Sequence, residues 1–374
     1  MPVSALPLFV VLSTALLAFI PHAAAQNCNA TTLCPASAPC CSEYGFCGSG
    51  SYCLGGCEPL YSNKPTSCRP NPICQSGETN FNDLSRVQLN ATEYDGNATE
   101  YDWVVNAGNL VADPNGQGVR LTLTENDQGT KISSTRYIHY GSIEFVLQSS
   151  KWGGVVTAAI TMSDVKDEID WEWAGATTDQ VQTNYWFLGV ANYSATQGAS
   201  ASVSSDASSN FHTYTFDWQE NQLNWLIDNQ VVRTVSKDET LSEDGSQYKY
   251  PSTPSRVQIS IWPGGSDSQA QGTIDWAGGM INWQDPDYLS NGYFWNTLQS
   301  VKITCNDDPD QNTGTTGWAY SGNDTAGVPV VDVTNASTLL SASEPRVPLA
   351  SGHSPLVALV SVLALALAGG IAML

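Results

Sequence analysis

Between Ser76 and Cys305 apolar and polar residues alternate in short runs broken by Gly, Asn, Asp or Pro, a period-two pattern that predicts strands. Gly141 to Gln148, Tyr214 to Trp218, Leu223 to Ile227 and Val231 to Val235 are examples, and Asp228-Asn229 between the last two predicts a tight hairpin turn. Helical periodicity is nearly absent from this stretch. The economical architecture is all-β, a sandwich of two antiparallel sheets with one face shaped into a cleft for an extended polymer.

Both ends of the chain depart from the pattern. Leu6 to Ile20 is an apolar run too short to span a bilayer comfortably, and Ala23-Ala24-Ala25 before Gln26 fits a cleavage site. Residues 1–25 therefore read as a secretory signal peptide. At the other end Leu356 to Leu374 is almost wholly apolar with no basic residue after it. With the spacer Glu344 to Pro355 and the small triplet Ser341-Ala342-Ser343, it reads as a glycolipid (GPI) anchor signal over 355–374. Ser341 and Asn335 are the candidate attachment residues; a plain C-terminal transmembrane helix is the alternative.

Charge then narrows the partners. The chain carries 36 acidic against 14 basic residues, a net charge of -22, which repels phosphate backbones and excludes nucleic acid. Few charges beside 12 Trp, 15 Tyr and 31 Gly suit twisted sheets and a groove lined with rings, a surface for neutral sugars. Sequons at Asn29, Asn90, Asn97, Asn192, Asn323 and Asn335 agree with secretion. Asn90 to Asp95 recurs as Asn97 to Asp102, a duplication that reads as a loop insertion. The stretch 306–354, rich in Thr, Ser, Asn and Gly, reads as a glycosylated stalk.

Nine of the ten cysteines lie between Cys28 and Cys74, a disulfide framework in an oxidising compartment. No His lies near them, so zinc is not expected. His22 and His353 fall in the processed ends, and His139 and His212 have no Cys or His neighbour in sequence. Neither a metal site, a cofactor nor a Ser-His-Asp triad is expected.

The chemistry lies in Glu168-Ile169-Asp170-Trp171-Glu172. On a strand the three acids share one face, while Ile169, Trp171 and Trp173 share the other and demand burial. Four residues at about 3.3 Å each separate the two Glu backbones by roughly 13 Å. Side chains reaching toward each other would bring the carboxyls to about 5 Å, the separation of a retaining glycosidase. Charges this close cannot all ionise freely, so one carboxyl should keep its proton and serve as general acid.

Two resemblances follow. Cys40-Cys41-Ser42-Glu43-Tyr44-Gly45-Phe46-Cys47-Gly48 with Tyr52-Cys53 resembles the hevein-like chitin-binding module over 26–57. That resemblance implies pairs Cys28-Cys41, Cys34-Cys47 and Cys40-Cys53, with Ser42, Tyr44, Phe46 and Tyr52 on chitin. Cys57, Cys68, Cys74 and Cys305 stay open, a Cys74 to Cys305 staple being one option. The acidic signature is similar to that of glycoside hydrolase family 16. Its wider setting resembles the fungal Crh family of chitin–glucan transglycosylases: Gly154 to Trp173, Asn184-Tyr185-Trp186, Arg256-Val257-Gln258 with Ile261-Trp262-Pro263, and Gly272 to Gly279.

What the resemblance implies is a concanavalin-like jelly roll over 58–305, with Glu168 as nucleophile, Asp170 orienting it and Glu172 as acid/base. Arg136, Tyr185, Gln258, Trp262 and Trp276 become candidate sugar contacts. The expected partners are chitin and β-glucan of the wall and the membrane through the anchor, with no protein partner implied. A plain endo-hydrolase of the same fold and a non-catalytic chitin-binding wall protein are the competing readings.

Overall fold

The computed structural model of the chain describes residues 26–190, 197–306, 314–325 and 327–341. The signal-peptide run, the sequon at Asn192 and the apolar tail lie outside them.

Two large sheets carry the main body. One, the cleft sheet, runs in spatial order Ala199–Ser202, Gln180–Trp186, Glu168–Ala174, Val155–Ser163, Ser255–Pro263, Thr130–Ile138, Trp103–Ala107 and Val87–Gln88. The outer sheet runs Gln230–Ser236, Gln222–Ile227, His212–Trp218, Gly141–Gln148, Phe294–Cys305, Val119–Leu123 and Leu110–Ala112, with Gly77–Asn80 also on Phe294–Cys305. Pairing is antiparallel except between Val87–Gln88 and Trp103–Ala107. The expected jelly roll is what forms. Asp228 and Asn229 have φ of 48° and 64°, the left-handed pair that a two-residue hairpin turn requires.

The core lies between the sheets and is aromatic. Trp171 meets Tyr214 and Phe216 at ring-centroid distances of 5.5 and 6.0 Å, and Trp173 meets Tyr214 at 4.6 Å. The Trp225 indole of the outer sheet donates to the Asp170 carbonyl at 3.0 Å, tying the sheets together behind the acids.

A smaller layer covers one end of the cleft sheet. Its head is stapled by Cys28–Cys41, Cys34–Cys47, Cys40–Cys53 and Cys57–Cys68, so its covalent frame extends beyond residue 57. Asn71–Pro72 pairs with Gly317–Asn323, which pairs with Pro329–Thr334. Part of the segment read as a stalk is therefore folded. Trp318 and Tyr320 are buried, and their alternation is hidden in composition by the surrounding Gly, Thr and Asn. Leu54 of the head packs with Tyr94 and Val104, against which Leu340 also rests. The duplicated loop thus supplies Tyr94 to this seam. Both of its copies form the same turn, with Thr92 and Thr99 hydroxyls bonded to Asn90 and Asn97 at 2.8 and 2.6 Å.

Cys74–Cys305 closes a loop of sequence separation 231 around the whole sandwich. Loop entropy assigns such a closure up to about 5 kcal/mol through the unfolded chain. The strand pair Gly77–Asn80 with Phe294–Cys305 holds the same two ends together without the sulfur bridge. The Cys74→Ser, Cys305→Ser double variant is therefore expected to fold but to melt at least ~5 °C lower by calorimetry; an unchanged Tm would show that strand pairing alone closes the domain.

Candidate active site

The strand Glu168–Ala174 is held at its start by Asp167. That buried carboxylate accepts the backbone N–H groups of Leu188, Ser252 and Thr253 and the Thr253 hydroxyl at 2.7–3.1 Å. The register with Val155–Ser163 runs without a bulge from Val156 opposite Ala174 to Met162 opposite Glu168. Alternation is therefore unbroken. Ile169, Trp171 and Trp173 are fully buried in the core, and Glu168, Asp170 and Glu172 share the other face. Although that face points away from the core, Asp170 is only 1% exposed and Glu168 5%, with Glu172 half-buried at the end of the row. A face this sheltered is a cleft.

Neighbouring strands complete it row by row. Trp186 and Met162 flank Glu168, Asn184 and Ile160 flank Asp170, and Gln182 and Ala158 flank Glu172. One strand further, Arg256, Gln258 and Ser260 continue the same three rows. Val156, Ala158, Ile160, Trp262 and Ala277 form an apolar floor with Met162 and Trp276 against it, and the two Trp rings stack at 6.0 Å and 18°. Oε1 of Glu168, both Asp170 oxygens and Nε2 of Gln258 are buried without a hydrogen-bond partner of good geometry. Convergent unpaired polar atoms over an apolar floor suit a polyhydroxylated ligand.

The candidate contacts divide. Gln258, Trp262 and Trp276 reach the cleft face. Tyr185 does not: paired with Ile169, it faces the core, where it packs near Trp225 and bonds Gln197 at 3.2 Å. Arg136 is spent on the carbonyls of Ile73 and Ala98 at 3.0 and 3.1 Å, a strap between loops. Asn184, Trp186 and Gln182, which do line the site, went unassigned. Their faces follow from the same alternation once the register of Gln180–Trp186 is known, and no single sequence supplies that register.

All three acids hold their protons more tightly than usual. Burial, then repulsion from Asp170 and Glu172, pushes the Glu168 carboxyl well up. Burial raises Asp170 to about 7 and, with repulsion from Asp170, raises Glu172 to about 8. The trio titrates as one cluster that carries fewer than three charges at neutrality.

The head docks beside this cleft. Glu43 lies 3.1 Å from Lys131 Nζ and 3.2 Å from Arg256 Nη2, all three largely shielded from solvent. Burial opposes its charge, but Lys131 and Arg256 overcome that and pull its carboxyl to about 2. Lys131 also sits 5.0 Å over the Tyr44 ring. Ser42, Tyr44 and Tyr52 face a cavity between the head and the cleft sheet; Phe46 stays outside it. The Ser42 hydroxyl accepts the Phe46 N–H at 3.3 Å.

One arrangement runs against the sequence reading. Ser205 Oγ lies 2.8 Å from His212 Nε2, and His212 Nδ1 lies 2.7 Å from Asp228. Chain folding brings this Ser-His-Asp series together through a loop and a hairpin turn whose positions a single sequence does not supply. Asp228 is 45% exposed and also takes the Thr213 N–H at 3.0 Å, so the series fastens the loop at 205 to the hairpin turn.

The raised pKa values predict a pH-dependent stability penalty. Glu172 goes from 4.5 to about 8 on folding, so it binds its proton more tightly in the fold. Its favourable share is whole below the unfolded value and is lost as pH climbs through about 8. Glu172→Gln should therefore match the parent Tm near pH 4 and exceed it by roughly 5 °C at pH 9. Equal melting at both pH values would contradict a buried, repelled carboxyl.

Comparisons with known proteins give the chain its relatives. The model of glycosyl hydrolases family 16 matches residues 97–278. Crh-like protein 2 of Aspergillus fumigatus is 43% identical over 318 residues, covering 84% of this chain and 70% of the relative. Congo red hypersensitive protein 2 of Saccharomyces cerevisiae is 42% identical over 300 residues, covering 80% of this chain and 63% of its own length. Among solved structures, the Crh5 transglycosylase in complex with NAG aligns with a TM-score of 0.57 at 29% identity, over 72% of this chain and 96% of that one. With three carboxylates on one sheltered strand of the matched region, the chain belongs to the Crh-like group of glycosyl hydrolases family 16.

Proposed function

We propose that this chain is a retaining cell-wall transglycosylase that cleaves chitin and transfers the new end to β-glucan. The observation that carries the reading is the trio Glu168, Asp170 and Glu172 on one sheltered cleft face. The similarity to a transglycosylase solved with NAG supports an amino-sugar donor.

In the first step Glu168 attacks the anomeric carbon while Glu172 gives its proton to the departing oxygen. Glu172, raised to about 8, still holds that proton at neutral pH. Glu168 must attack as the carboxylate, and Asp170 beside it is the base that takes the proton off it. Asp170 thus both orients the nucleophile and sets its proton. In the second step Glu172, now charged, removes a proton from an incoming hydroxyl, which displaces Glu168 from the sugar. A sugar hydroxyl yields a cross-link and water yields a hydrolysed end. The floor of Val156, Ile160 and Trp262 offers water few hydrogen bonds, whereas a sugar's apolar face can rest on the Trp262–Trp276 stack.

The remaining parts fit delivery to a wall. Residues 1–25 would direct secretion, the tail after Ser341 or Asn335 would be exchanged for a GPI anchor, and the head would hold chitin through Ser42, Tyr44 and Tyr52. Asn29, Asn90, Asn97 and Asn323 are exposed or partly exposed, as glycosylation requires.

The test incubates the secreted protein with chitin oligomers and a fluorescent β-glucan oligomer and follows products by mass. Mixed adducts are expected, with Glu172→Gln slower by about 10²–10⁴-fold. Shortened chitin without adducts would make the enzyme a hydrolase, and no product from folded protein would leave a binding protein. Glu168→Gln should stop transfer yet keep chitin retention. The pH profile follows from the proton roles. Rate falls as pH rises through about 8, where Glu172 loses its proton, and as pH drops below about 7, where Asp170 can no longer take one. Activity that stays flat from pH 5 to 10 would rule out these proton assignments.

A further inference from the structure

We infer that the head is a fixed wall of the substrate cleft, and that the cavity between it and the cleft sheet is a further glycan subsite continuous with the catalytic row. The inference rests on reading the cleft as a glycan-processing site and adds which part of the molecule binds the far end of the same chain.

Direction comes first. Glu168 and Glu172 lie along a strand and must stand on either side of the bond they break, so the polymer has to run across the strands. The row through Asp170 crosses Ile160 and Gln258 and reaches Ser133, whose hydroxyl bonds Asn106 at 2.6 Å. Four strand spacings bring this path about 19 Å from Asp170. Asn106 lines the head cavity, and so does Arg256 from the bank of the same cleft. Ser42, Tyr44 and Tyr52 of the head line the cavity with them.

The cavity has the chemistry of a sugar site. Rings can bury the apolar C–H face of a pyranose while polar groups meet its hydroxyls. Arg256 is only 5% exposed, yet its Nε has no partner. That donor is unused by the ion pair its own Nη2 makes with Glu43.

The head is not tethered loosely. Besides the Glu43 contacts, the Gly56 N–H donates to the Tyr137 hydroxyl at 2.9 Å and to Asp164 at 3.0 Å. Gly56 has φ +84°, a left-handed conformation that favours glycine, and a Cβ there would stand 3.0 Å from Glu43 Cβ and crowd Arg256 Nη2. Leu54 closes the seam against Tyr94 and Val104. A face held inward by such contacts meets a chain threading the cleft, not a free surface.

Calorimetric binding of chitin oligomers, dimer to octamer, to the full chain carrying Glu172→Gln tests this. Affinity is expected to climb once oligomers reach the head, and Tyr44→Ala or Tyr52→Ala should each remove about tenfold of that climb. Tyr44→Phe, which keeps the ring, should retain it. Glu43→Gln, which loosens the hold of Lys131 and Arg256 on the head while keeping every ring, should flatten it as well. A loss equal at every length would assign the tyrosines to the fold alone. Unchanged oligomer affinity with lost retention on insoluble chitin would describe a head acting independently, and either result overturns the inference. Failure of the underlying reading looks different, because then the parent enzyme leaves oligomers of every length uncut.

Discussion

Three carboxylates at alternate positions of one sheltered strand repel each other, two of them almost wholly shielded from solvent, and the rest of the molecule is arranged around keeping them there. The period of two that places the acids together also sends Ile169, Trp171 and Trp173 into the core, where they meet Tyr214 and Phe216. Removing that aromatic mass would leave nothing to offset burying the acids. Asp167 shows the contrasting solution one residue earlier: it is equally buried but receives four hydrogen bonds from neighbouring loops. Structural acids are satisfied by the protein, whereas Glu168 and Asp170 keep oxygens with no well-formed hydrogen bond, only each other and Trp186 beside them. That difference separates anchor from reagent.

Much of this was legible in the chain. Alternation predicted the sandwich, the Asp228-Asn229 turn and the common face of Glu168, Asp170 and Glu172, because each depends only on residues a few positions apart. Tyr185 and Arg136 were misassigned for the complementary reason. Tyr185 faces the core because it pairs with Ile169, and Arg136 straps Ile73 and Ala98, partners far away in sequence. The Ser205, His212 and Asp228 series is close in sequence, yet its members meet only through a loop and a hairpin turn whose positions a single sequence does not supply. The stalk was misread for a different cause, since Trp318 and Tyr320 carry their strand within a composition typical of unstructured chain.

Charge distribution joins the head to the cleft. With 14 basic residues against 36 acidic, cations are scarce, yet Lys131 and Arg256 both serve a single carboxylate, Glu43. A surface ion pair would contribute little. A shielded cluster contributes orientation instead, because any displaced geometry leaves buried charge unpaired. Arg256 thereby links three things: the head through Glu43, the row of Glu168 through Met162, and the cavity it lines.

Proton tuning and the choice of acceptor then have one origin. In the proposed mechanism the burial that raises Glu172 to about 8 keeps it an acid at neutral pH for the first step, and the apolar floor of Ile160, Val156 and Trp262 would offer water few partners. A more open cleft would lower that carboxyl toward its ordinary value and admit water at once, weakening the acid and favouring hydrolysis together. A sheltered cleft needs another source for the second hydroxyl, and a polymer held on rings supplies it at high local concentration. If the enzyme transfers as proposed, its preference for a sugar hydroxyl over water and the raised carboxyl of Glu172 share one cause, the shelter of the cleft.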